Sequence, residues 1–151
     1  MRFNQLNLLL EHFVSCREAM QAMYRRLELN ADSERVRMLL NYLQHQEREN
    51  AAHLQAFISQ AKPELLDTWT DIRLEQDLLD KVAKLSKPAD MTSDDVGSLA
   101  LELSEQSLGL LRLAKDELTM LGARQFLANL IEHQEKRQQQ MVHATHRLDD
   151  I

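Results

Sequence analysis

Two stretches carry the residues best placed for chemistry. In YLQHQERENAAHL, residues 42–54, Glu47 and Asn50 stand three apart; in LIEHQEKRQQQMV, residues 130–142, Glu135 and Gln138 repeat that spacing. Three residues is close to one helical turn, so each pair presents a carboxylate and a carboxamide on one face. A carboxylate can ligate a cation or pair with a guanidinium, whereas a carboxamide donates and accepts hydrogen bonds. Phase makes the pairs informative. Glu47 lies four residues after Leu43, and Asn50 four before Leu54, within a stripe of Val36, Leu39, Leu40, Leu43, Leu54, Phe57 and Ile58. Glu135 and Gln138 fall in the same way between Ile131 and Val142, and a shift of 88 positions lays the first stretch over the second. Arg17 interrupts a third stripe, Phe13, Met20 and Tyr24. Charges on an apolar stripe are expected to be buried, and buried charges need partners.

Other titratable groups carry less. His45 and His133 stand two residues before the glutamates, on the far side of each helix, and read as exposed. Glu49 and His53, four apart, form a possible surface pair. His143 and His146 have a spacing compatible with a metal but common by chance. Cys16 adjoins Arg17, which lowers a thiol pKa when the thiol is exposed. No histidine and acid at a recognisable spacing make it a nucleophile, so it reads as a packed core thiol. Met20, Met23, Met38, Met120 and Met141 read as core filler. There is no glycine-rich phosphate loop, Cys-x-x-Cys pair, serine elbow or haem-attachment motif.

Four long amphipathic segments must position these groups. The first is expected over about residues 4–29 and the second over 34–61, joined through the polar NADS cluster, where Asp32 or Ser33 caps the second helix. Pro63 sets the second helix's end. Thr92 and Asp95 form a capping-box pattern opening a third helix over 93–121. Gly122 is the expected left-handed stop before a fourth helix over 123–148. Residues 62–91, with Leu65, Leu66, Trp69, Ile72, Leu78, Leu79, Val82 and Leu85, are too apolar for a disordered linker and are expected to hold one or two short helices. Leu101, Leu108 and Leu111 give the third helix a second apolar face, to be covered either by this crossover or by a second subunit.

The whole chain supports a helical reading. It has 151 residues, one domain's length, with only 3 Gly and 2 Pro. The net charge of −6, with basic residues scattered, argues against nucleic acid or an anionic membrane as partner. A single cysteine excludes an intrachain disulfide and suits a reducing compartment. No apolar run reaches 18 residues, and MRFNQLNLLLEHF meets Glu11 and His12 too early for a signal peptide, so a cytoplasmic location is expected.

Two helical hairpins joined by a long crossover, with glutamates in the middle of the second and fourth helices, resemble the ferritin-like and rubrerythrin-like bundles. The resemblance covers roughly residues 4–61 and 92–148. It implies an all-α antiparallel four-helix bundle, with a Glu on one helix of each hairpin and a Glu-x-x-His on the other, all facing two irons. Carried over, Glu47 and Glu135 match the glutamates of the two Glu-x-x-His motifs. Asn50 and Gln138 stand where the histidines would be, Arg17 and Leu103 where the other glutamates would be. Glu105 lies about 160–200° from the stripe of the third helix and is not a ligand by phase. Two of six ligands remain, and a cation has entered their layer.

The expectation is therefore a buried polar network of Arg17, Glu47, Asn50, Glu135 and Gln138 at the family's metal position, without a cofactor. The function that follows is a non-catalytic binding or scaffolding protein, its partner unidentified or a second copy docked through Leu101 and Leu108. Two other readings compete. In one, Glu47 and Glu135 are solvated; in the other, they hold iron or manganese in an oxidoreductase or iron-handling protein with an altered ligand set. A histidine phosphotransfer module fits the bundle but lacks a histidine followed by the usual small and basic residues.

Overall fold

The computed structural model describes residues 1–74 and 77–149. The chain begins as a strand, β1 (Arg2–Gln5), and turns into the helix α1 (Leu6–Asn30). α1 buries Leu6, Leu9, Leu10, Phe13, Met20, Met23, Tyr24 and Leu27, the three-and-four spacing that forms one apolar face. Past its end the turn is held by a side chain: Arg37 donates to Ala31 O at 2.8 Å and Asp32 O at 3.1 Å, while the Ala31 N–H closes on Glu28 O. Ser33 then caps α2 (Glu34–Ser59), its hydroxyl accepting from the Val36 N–H at 3.3 Å. Pro63 opens a single turn, α3 (Pro63–Leu66).

The crossover differs from expectation in one element. Trp69–Arg73 forms a strand, β2, antiparallel to β1, with Arg2 opposite Arg73 and Phe3 opposite Ile72. Its β-branched and aromatic residues, Trp69, Thr70 and Ile72, suit a half-buried strand. Only five residues alternate, and the partner strand is distant in sequence, so periodicity alone does not reveal the ribbon. The Thr70 hydroxyl donates to Phe3 O at 2.8 Å, and the Leu74 N–H to Met1 O at 2.9 Å. After it comes α4 (Leu78–Lys84), capped by the Asp77 side chain and packed on α1.

Thr92 and Asp95 make the expected capping box at the start of α5 (Ser93–Glu117), at 3.1 and 2.9 Å. α6 (Leu121–Asp149) follows. The stop between them is not Gly122, which lies inside the first turn of α6, and no described residue has a positive φ. Leu118 breaks the chain instead, extended at φ −81° and ψ 134° and only 4% exposed. Burial of its side chain turns the backbone there, and Arg124 donates to its carbonyl at 3.0 Å.

α1 packs along α2 and α5 along α6, and α2 touches both helices of the second hairpin, so the four long helices enclose one core. Ile72, Leu74, Leu78 and Val82 of the crossover belong to that core. Two of the methionines expected there do not: Met38 and Met120 are exposed, whereas Met20, Met23 and Met141 are buried. The second apolar face of α5 is largely closed within the chain. Leu108 and Leu111 are buried, β2 lies beside α5, and Lys81 of α4 reaches Gln106 at 3.1 Å; Leu101 stays exposed. Trp69, the largest side chain of the crossover, takes no part in that cover and faces out.

Candidate functional site

Midway along the bundle, the Arg17 guanidinium of α1 donates to both carboxylate oxygens of Glu47 on α2, at 3.1 and 3.2 Å. Each residue is 3% exposed. The third member comes from α6 and is Gln134, whose Oε1 accepts from the other Arg17 nitrogen at 3.0 Å. Asn50 lies one turn beyond Glu47, buried, and its Oδ1 has no hydrogen-bond partner among the described residues. Tyr24 closes the layer on α1.

The network expected from sequence is therefore split. Arg17, Glu47 and Asn50 lie in the core, but Glu135 and Gln138 do not join them. Glu135 is exposed and accepts from Arg112 at 3.4 Å. Gln138 is half-buried on the α5 side, accepting from the Ser104 hydroxyl at 2.9 Å and donating to Glu105. Helix phase explains the difference. Ile131 is at the edge of the α6 stripe, and a further step of four carries Glu135 about 80° away from Leu127. Gln134 is seven residues after Leu127, two full turns, and returns to within about 20° of it. Buried positions Leu40, Leu43, Glu47 and Leu54 thus correspond to Leu127, Leu130, Gln134 and Met141, a shift of 87, one less than the shift that matches the letters.

Electrostatics in the layer are those of a desolvated pair. Burial pushes the Glu47 carboxyl above its usual value, while the Arg17 charge and its hydrogen bonds, and then the Asn50 amide, pull it back. Burial also raises the Tyr24 phenol, and the Glu47 charge raises it further. Leu103, carried over to the remaining ligand position, is fully buried and apolar.

The other candidates are dispersed. His45, His133, His143 and His146 are exposed, and so are Glu49 and His53; the ion pair of Glu49 is with Arg137, at 4.0 Å. Cys16 is fully buried with its Sγ 3.7 Å from His12 Nε2, a four-residue step that sequence reading passes over. Burial pushes its pKa up to about 11 despite Arg17 and lowers that of His12, so the pair holds a neutral thiol beside a neutral imidazole near neutral pH. Among the described residues no three of His, Cys, Asp and Glu converge as a metal-binding group, and no helix is long and apolar enough to cross a membrane.

No protein-family model matches the sequence, and no curated protein is similar to it at a significant level. The fold does have a solved counterpart. A Thermotoga maritima protein provisionally described as a ferritin-like diiron-carboxylate protein, with a crystal structure at 2.30 Å resolution, is 17% identical and superposes with a TM-score of 0.58. The match covers 97% of each chain. The chain thus has the all-α ferritin-like fold.

Proposed function

We propose that this protein is a ferritin-like bundle in which an organic ion pair replaces the di-iron centre, and that it acts as a non-catalytic binding or scaffolding protein. The observation that carries this reading is the Arg17 guanidinium seated on both oxygens of Glu47 in the middle of the bundle. Two divalent ions need several anionic and imidazole donors converging on them. This layer offers one carboxylate, two carboxamides and a permanent cation, a donor set that does not fit a pair of irons. Glu135, the second carboxylate that the resemblance brings to mind, lies on the surface with Arg112. A cytoplasmic location, argued from the lone cysteine, belongs with this reading.

Metal content is the test. Protein purified without chelator and then offered Fe(II), Mn(II) or Zn(II) is expected to stay near zero metal per chain. Stoichiometric uptake that disappears in Glu47→Ala would overturn the proposal in favour of an iron or manganese protein with an altered ligand set.

A further inference from the structure

A cavity of about 350 Å³ lies between α2 and α6, directly beside the buried layer. Its apolar wall includes Leu54, Phe57 and Leu130, and Arg137, Gln134, His53 and His133 line the rest. No acidic residue lines it. We propose that it binds a small organic anion, a carboxylate with a short apolar tail, the carboxylate on Arg137 and the tail against Phe57 and Ala56. The proposal deepens the binding-protein reading and rests on it.

Arg137 is the first reason. Its side chain is only 18% exposed, yet among the described residues it makes no hydrogen bond, and its acidic neighbour Glu49 is 4.0 Å away and itself 61% exposed. A guanidinium has five donors, and those of Arg137 keep some contact with solvent, open to a ligand's acceptors. A carboxylate in the cavity would meet it with two parallel bonds, the strongest geometry open to an arginine. Gln134 is the second reason. It is 3% exposed, and its oxygen is committed to Arg17 at 3.0 Å. Its amide nitrogen has no acceptor among the described residues and keeps some contact with solvent, which leaves a free donor at the cavity wall.

The lining selects an organic anion over a bare one. Phe57 is held against Phe126 at 4.7 Å and against the His133 ring at 6.0 Å, so the apolar wall is braced rather than loose. At about 30 Å³ per water the space holds about a dozen non-hydrogen atoms, at the small end of ligand sites. An inorganic oxyanion would leave Phe57 and Ala56, the apolar lining that keeps solvent contact, facing water.

Calorimetric titration of the full chain with octanoate tests this, with octanol and inorganic phosphate as the two other arms. Octanoate is expected to bind saturably at one site per chain, with octanol and phosphate each at least tenfold weaker. Arg137→Gln is expected to weaken octanoate at least tenfold. Glu49→Gln, an exposed change, is expected to tighten it severalfold, because the competing acid for the guanidinium is gone; a merely structural Arg137 would not give that gain. The proposal fails if octanoate does not saturate, if phosphate or octanol binds as tightly, or if Arg137→Gln folds and binds unchanged. Should Arg137→Gln not fold, unchanged or weaker binding in Glu49→Gln overturns it. Loss of anion binding in protein whose metal uptake stays near zero overturns this site alone and leaves the reading of the central layer standing.

Discussion

Arg17 and Glu47 are the two residues whose energetics decide what the central layer is. Each is desolvated, and the attraction between them offsets that cost only while both are present. Glu47→Leu alone leaves a buried guanidinium with one amide acceptor and is expected to cost about 3–5 kcal/mol in urea-unfolding free energy. Replacing both, Arg17→Met with Glu47→Leu, removes the charges together and is expected to cost less than that single change. Additive losses would show that the two residues are not coupled. The same double variant isolates the titration of Glu47. Burial holds its folded-state pKa above the ordinary value of 4.5, so the native chain keeps a proton over a range in which the unfolded chain has released it. Stability from this group is then greatest at low pH. The difference in unfolding free energy, wild type minus double variant, is expected to fall as pH rises from about 4.5 and to level off once the native carboxyl has ionised. A difference that rises over that range would mean the Arg17 charge outweighs burial.

At the scale of elements, α6 is where register carries the most information. Gln134 faces Arg17 and Glu135 faces solvent, so adjacent alanine substitutions are expected to separate sharply. Gln134→Ala strands a buried Arg17 donor and should cost about 1–3 kcal/mol, while Glu135→Ala should stay within about 0.5 kcal/mol by thermal or urea unfolding. The reverse order would place Glu135 inside. The sequence made the four long helices legible, because their stripes run for many turns and two of their caps, Ser33 and Thr92 with Asp95, are local hydrogen-bonding patterns. Arg17 and Glu47 were legible for the same reason. Gln134 was hidden by its neighbour: a matching Glu and Gln at a shift of 88 outweighed a buried pattern that repeats at 87. The β1–β2 ribbon was hidden because its strands are short and 69 residues separate Phe3 from Ile72, a pairing that no local signal encodes. Gly122 misled for the opposite reason, since a residue suited to a left-handed stop need not make one when a buried Leu118 turns the chain first.

For the whole molecule, the crossover has a structural task beyond joining two hairpins. It ties the chain's start to its middle through the ribbon, with the Met1 amino group donating to Leu74 O at 3.1 Å and the Leu6 N–H to Thr68 O at 3.0 Å. It also sends Ile72, Leu74, Leu78 and Val82 into the same core as the long helices. A connection that merely spanned the hairpins would tolerate truncation of these side chains, whereas one that belongs to the core would not. Ile72 is fully buried, so Ile72→Ala is expected to cost about 2–5 kcal/mol, the range for deleting a large aliphatic side chain from a packed interior. Cooperativity is the more telling readout. If crossover and bundle fold as one unit, circular dichroism of the helices and the fluorescence anisotropy of Trp69, which reports its ordering on β2 although it faces solvent, should give the same urea midpoint in both wild type and variant. Separate midpoints, with the tryptophan signal lost first, would mean that the ribbon and α4 are a detachable layer and that the four long helices hold the core without them.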